Sequence, residues 1–155
     1  MSLDALDALY KEVILDHYQN PRNRAPLPDP TVATEGFNPA CGDQLTLQLK
    51  LEDGKITAVG LQGKGCAISQ SSASMMTEAI HDHTLEEAEQ LAESFREFMT
   101  AEERPQTDMG DLEVLEGVRQ FPVRIKCATL AWHTLQEALK EYRSGQREGK
   151  LVIRE

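Results

Sequence analysis

Apolar and polar positions recur along this chain in two periods, and the switches between them outline the elements. Over residues 2–20, Leu6, Leu9, Tyr10, Val13, Ile14 and His17 fall at helical spacing. Ser2 stands where it can cap that helix, and Asn20-Pro21 ends it. A loop carrying Pro21, Pro26, Pro28 and Pro30 leads to an extended piece over residues 31–35. Over residues 44–51 the period becomes two, with Leu45, Leu47, Leu49 and Leu51 on one face. Asp53-Gly54 is a hairpin signal, and Ile56, Val59 and Leu61 continue the return strand.

Beyond Gly63-Lys64-Gly65 the helical period returns. A Ser/Ala-rich helix is expected from about Cys66 to Ile80, with Ile68, Met75, Met76, Ala79 and Ile80 inward. Thr84 and Glu87 form the two ends of a capping box, and the helix behind them is expected to bury Leu85, Ala88, Leu91, Ala92, Phe95 and Met99. Residues 101–110 read as an acidic loop and 112–118 as a short helical turn. Pro122 precedes a last helix with Ala128, Ala131, Leu135, Ala138, Leu139 and Tyr142 on one face, ended by Gly145. Residues 151–155 read as a loose extended end. A helix, then strands, then helices predict an α+β fold: a small antiparallel sheet with helices packed on one face. The expectation is one domain over residues 1–155, with an acidic insertion around 100–120.

Composition narrows the function classes. At 155 residues, 40% hydrophobic and 27% charged, the chain has the make-up of one soluble globular domain. Its first residues are acidic, with no apolar region of the signal-peptide kind behind them. No stretch approaches the roughly 18–20 apolar residues that cross a bilayer. A cytoplasmic protein with no membrane partner is therefore expected. The net charge of −10 and an aromatic content of 5% argue against nucleic acid, which needs a cationic surface and stacking platforms. A partner with a basic docking patch suits this field better.

Three cysteines make a poor disulfide framework and leave packing, metal ligation or a reactive thiol. Cys41 lies in Asn38-Pro39-Ala40-Cys41-Gly42-Asp43, where one glycine separates a thiol from a carboxylate and lets both converge on one ion. Cys66 follows Gly63-Lys64-Gly65 at a helix start, where the macrodipole favours a thiolate and the glycines permit close approach by another loop. Cys127 opens the last helix behind Arg124 and Lys126, cations that lower a thiol's pKa. Each position taken alone also suits plain packing or a plain turn. All three cysteines sit at element boundaries, however, and boundary positions gather at one end of a domain. Three thiolates and the Asp43 carboxylate would complete a tetrahedral zinc site. His81-Asp82-His83 reads as a solvated polar linker, and no P-loop, GxGxxG or GxSxG motif occurs.

These motifs as a set resemble the U-type iron–sulfur cluster assembly proteins, the IscU/SufU family. The matching pieces run from Tyr10 to Pro21, through Asn38 to Asp43 and Gly63 to Ser74, to Cys127. IscU-type scaffolds carry a histidine just before the third cysteine and a Leu-Pro-Pro-Val-Lys segment that a chaperone reads. Here Lys126 and Gln120-Phe121-Pro122-Val123-Arg124 stand at those positions, and the stretch from Cys66 to Cys127 is longer. All three departures resemble the SufU branch. The resemblance implies a zinc-dependent sulfurtransferase, with Cys41, Asp43, Cys66 and Cys127 on zinc. It makes Cys41 the acceptor of persulfide sulfur from a SufS-type cysteine desulfurase, and a downstream iron–sulfur scaffold complex a further partner. The alternative it carries is a scaffold that assembles a [2Fe–2S] cluster on the same ligands.

Overall fold

The computed structural model describes residues 3–103, 105–106 and 108–153, with side chains from Lys11 onward. In chain order the elements are α1 (Leu3–Gln19), β1 (Val32–Asn38), β2 (Asp43–Glu52), β3 (Lys55–Lys64), α2 (Ala67–Ile80), α3 (Leu85–Thr100), a 3₁₀ segment (Gly110–Gln120), α4 (Pro122–Arg143) and β4 (Glu148–Val152). The cap at Ser2 and the inward positions Leu6, Leu9 and Tyr10 lie outside the described residues and side chains. Val13 and Ile14 pack against the core, and His17 is buried.

The strands form one sheet in the order β3-β2-β1-β4. Leu45, Leu47, Leu49 and Leu51 are buried along one face of β2, as their alternation predicts. Asp53 and Gly54 both take left-handed backbone angles, at φ 51° and 76°, which gives the tight turn that a two-residue hairpin needs. The β1–β2 and β2–β3 pairs are antiparallel, but β4 runs parallel to β1, so the sheet is mixed at one edge. The tail is thus an edge strand where a loose end is expected. Its docking depends on a contact invisible in the local pattern. Gly149 lies against the buried carboxylate of Glu141, which accepts the Thr34 hydroxyl at 2.5 Å, and a side chain at 149 would collide with it.

Helices α2 and α4 form the centre of the helical layer. The Ser72 hydroxyl donates to the Ala128 carbonyl at 2.6 Å and accepts the Trp132 indole N–H at 3.1 Å, tying one helix to the other. Trp132 is fully buried and stacks on Phe95 of α3 with ring centroids 4.8 Å apart. The capping box at Thr84 and Glu87 forms at the start of α3. Part of the expected acidic insertion is ordered as the 3₁₀ segment, which buries Leu112, Val114, Leu115 and Val118. No described helix is long and apolar enough to cross a membrane. The result brings the β1–β2 turn and the N-terminal ends of α2 and α4 to one end of the molecule.

Candidate metal centre

The first candidate residue is set by a turn. Asn38 and Asp43 pair across β1 and β2, and the four residues between them close the hairpin. The Cys41 N–H donates to the Asn38 carbonyl at 3.2 Å, while Gly42 takes φ 69°, a left-handed angle that costs glycine least. Cys41 is consequently half-buried at the turn, and Asp43, the first residue of β2, is buried. Cys66 is the N-cap of α2, its sulfur accepting the Ser69 N–H at 3.4 Å. Cys127 is fully buried in the early part of α4, a helix that starts at Pro122, where proline's missing N–H costs nothing.

The ligand atoms of Cys41, Asp43 and Cys127 all lie within 4.8 Å of one another. Asp43 Oδ1 accepts the Cys66 backbone N–H at 3.0 Å, while Oδ2 is buried with no hydrogen-bond partner. Gly65 lies so close to this carboxylate that any side chain there would drive into it. The glycines ahead of Cys66 therefore do permit the close approach that the sequence suggests. The Cys66 thiol itself is not among the gathered atoms. Its backbone reaches Asp43, but its sulfur turns to the first turn of α2. The three cysteines are free thiols.

Electrostatics follow from this crowding. Burial pushes the Cys127 thiol far above the ordinary range, and the neighbouring Cys41 and Asp43 side chains and the charge of Cys66 push it further. Arg124 is held protonated more firmly than usual, first by a hydrogen bond with Cys127 and then by the charges of Cys66, Cys127 and Cys41. Two thiols and a carboxylate packed into a small volume, with an orphaned carboxylate oxygen among them, are what a cation would satisfy. Two sulfurs and one carboxylate oxygen, with a third sulfur adjacent, fit zinc by donor type and number.

Cys41 opens onto a groove of about 570 Å³, lined also by Ala40, Phe121, Pro122, Val123 and Arg124. Phe121 and Val123 stand 58% and 61% exposed, so the rim of this groove is apolar. The His81-Asp82-His83 linker is exposed and pairs locally, His81 with Asp82 at 3.1 Å and His83 with Glu87 at 3.6 Å. It forms no metal group among the described residues. Sequence reasoning misses two features of the site. The apolar rim leaves no periodic signal. Asn38, whose amide donates to Cys127 Sγ at 3.9 Å, acts across 89 residues of chain.

Comparison with known proteins gives this geometry a context. Residues 9–127 match the NifU-like N terminal domain. The chain is 43% identical over 147 residues to the zinc-dependent sulfurtransferase SufU of Bacillus subtilis, covering 94% of this chain and 99% of that protein. It is 41% identical over 160 residues to the iron–sulfur cluster assembly scaffold protein IscU of Streptococcus pyogenes, covering 98% of this chain and 100% of that one. The crystal structure of FiSufU from Fervidobacterium islandicum superposes with a TM-score of 0.79 at 32% identity, over 85% of this chain and 97% of that chain.

Proposed function

Because this chain belongs to the NifU-like N-terminal domain family, with SufU and IscU relatives in iron–sulfur cluster assembly, we propose that it is a zinc-dependent sulfurtransferase. In this reading Cys41 accepts persulfide sulfur from a SufS-type cysteine desulfurase and passes it on toward an iron–sulfur scaffold complex. Cys41, Asp43, Cys66 and Cys127 hold the zinc. The observation that carries the reading is the pairing of a half-buried thiol that lines a groove, Cys41, with buried Asp43 and Cys127, where Asp43 Oδ2 lacks a partner.

Bound zinc would keep Cys41 as a thiolate at neutral pH and restrain it until a partner ligand replaces it. The rest of the chemistry belongs to the chain. The freed Cys41 thiolate attacks the outer sulfur of the partner's cysteine persulfide. A new S–S bond forms on Cys41, the partner's S–S bond breaks, and the partner's cysteine leaves as a thiolate. The outer sulfur moves at constant oxidation state, so no external oxidant or reductant enters. The Arg124 guanidinium beside the cysteines offsets the negative charge of the Cys41 thiolate once it is freed. Phe121 and Val123 give the partner an apolar surface to cover, which would exclude water from the groove over Cys41.

The test is desulfurase turnover measured with the wild-type chain, with Cys41→Ala and with zinc-stripped protein. Stimulation of roughly 10-fold or more, about 1.4 kcal/mol in barrier, is expected from the wild type and from neither altered sample. No stimulation by the zinc-loaded wild type would sink the reading. A second reading, assembly of a [2Fe–2S] cluster on the same residues, is favoured by the name of the Streptococcus relative. The visible spectrum of protein purified without oxygen separates the two. A colourless, zinc-loaded product supports transfer, and a brown product that donates its cluster supports the scaffold.

A further inference from the structure

We propose that Asn38 is a positioning residue of the metal centre, its side-chain N–H holding Cys127 as the anchored thiolate ligand; the inference rests on the metal reading above. Asn38 touches each member of the gathered group in a different way. Its backbone pairs with Asp43 across the hairpin, and its carbonyl accepts the Cys41 N–H at 3.2 Å. Its carboxamide Nδ2 donates to Cys127 Sγ at 3.9 Å. One residue thus sets the β1–β2 turn that carries two of the ligands and reaches across to the helix that carries the third. At 1% exposure it is screened from water, so its N–H has a fixed partner.

The chemistry explains why an amide belongs there. A metal-bound thiolate only accepts hydrogen bonds, and an asparagine N–H supplies a donor without adding charge. An N–H donor withdraws electron density from the sulfur, moderates the negative charge of the ligand set and fixes the direction in which the sulfur points. Cys127 is fully buried and tied by this bond, whereas Cys41 sits half-buried at the groove. The division of labour follows: Cys127 anchors the metal, and Cys41 leaves it.

The test compares the full-length wild type with Asn38→Leu, which keeps the branching at Cγ and removes the donor. Zinc affinity is read by competition with a chromophoric chelator. The cobalt-substituted proteins are compared by their near-ultraviolet thiolate-to-metal charge-transfer band. Zinc affinity is expected to fall roughly 10–100-fold, the usual effect of removing a partner of a metal ligand. The band should move to lower energy, because a thiolate without its donor gives up electrons more readily. A packing role alone would lower the thermal stability of the metal-free variant and leave the band unmoved. A measurement on the wild type covers the case in which the variant does not fold: in the ¹¹³Cd-loaded protein, the Asn38 side-chain proton should show scalar coupling to cadmium through Cys127 Sγ. Wild-type affinity and band in Asn38→Leu would overturn the Asn38 role while leaving the metal centre standing, as would an Asn38 amide with no coupling that exchanges like an exposed one. Wild type that takes up neither zinc nor cobalt would overturn the metal reading, and this inference with it.

Discussion

Asp43 has one carboxylate oxygen tied to the Cys66 N–H and the other buried without a partner. Asparagine at this position keeps an acceptor for Cys66 and replaces the charged, unpartnered oxygen with a neutral NH2 group. The metal-free protein should therefore tolerate Asp43→Asn, since a buried unpaired charged oxygen is a cost and not an asset. The metal-loaded protein should not, because a neutral amide oxygen is a poor zinc ligand. Isothermal titration with zinc and thermal unfolding of the metal-free form check the pair of effects: affinity at least about 10-fold lower, melting temperature unchanged or higher. A variant that binds zinc like wild type would remove Asp43 from the ligand set. The cluster of Cys41, Asp43 and Cys127 is legible in the sequence because Cys41 and Asp43 sit at an element boundary and Cys127, expected to open α4, lies in its second turn, so that all three meet at one end of the fold. The direction of the Cys66 sulfur is not legible, because it depends on the torsion angles of the α2 cap, which a residue pattern does not carry.

At the scale of elements, α1 is fastened to α2 through a buried histidine. Ser74 Oγ accepts the Arg22 N–H at 3.0 Å and pairs with His17 Nδ1 at 2.8 Å. The other ring nitrogen, Nε2, faces Glu78 at 3.7 Å. Burial, then the charge of Arg22, holds its pKa below the usual imidazole value, against the opposite pull of Glu78, Asp16 and Asp111. Below about pH 6.5 the unfolded chain takes up a proton on this residue that the folded chain refuses. The stability it contributes is full above that pH and is lost as pH falls toward the folded pKa. Urea unfolding at a series of pH values should show a steeper acid-side loss for wild type than for His17→Gln. His133, also lowered by burial and then by Arg96, leaves the variant part of its slope. Equal slopes would mean that His17 does not titrate differently in the folded chain. Helices and hairpin are legible here from period and turn chemistry, but not what decides how they associate. The serines of α2 carry no inward signal in the Ser/Ala-rich pattern until Ser72 is seen to bridge Ala128 and Trp132, and β4 reads as a loose extended end until Gly149 is set against Glu141.

For the molecule as a whole, the proposed metal either makes the fold or only uses it. The core runs from Leu47, Leu49 and Ile56 of the sheet through Ile80 and Phe95 to Trp132 and Leu135, all fully buried. None of the four candidate ligands belongs to this hydrophobic cluster, although Asp43 and Cys127 are buried. A core assembled without the centre predicts a metal-free protein that stays folded. A metal that binds only the folded state still raises its stability, by about 2.7 kcal/mol at a free concentration 100 times Kd. At about 2–4 °C per kcal/mol for a chain of this size, removal of zinc should lower the melting temperature on the order of 5–10 °C. Calorimetry with and without chelator measures the shift, and far-ultraviolet circular dichroism of the stripped protein checks that the helices persist. Collapse of the secondary structure on chelation would make the metal a structural pin and argue against a site whose ligand exchanges during sulfur transfer. No shift at all would mean that the folded chain holds no metal. A drop of a few degrees with the fold intact is the result that a working, exchangeable centre requires.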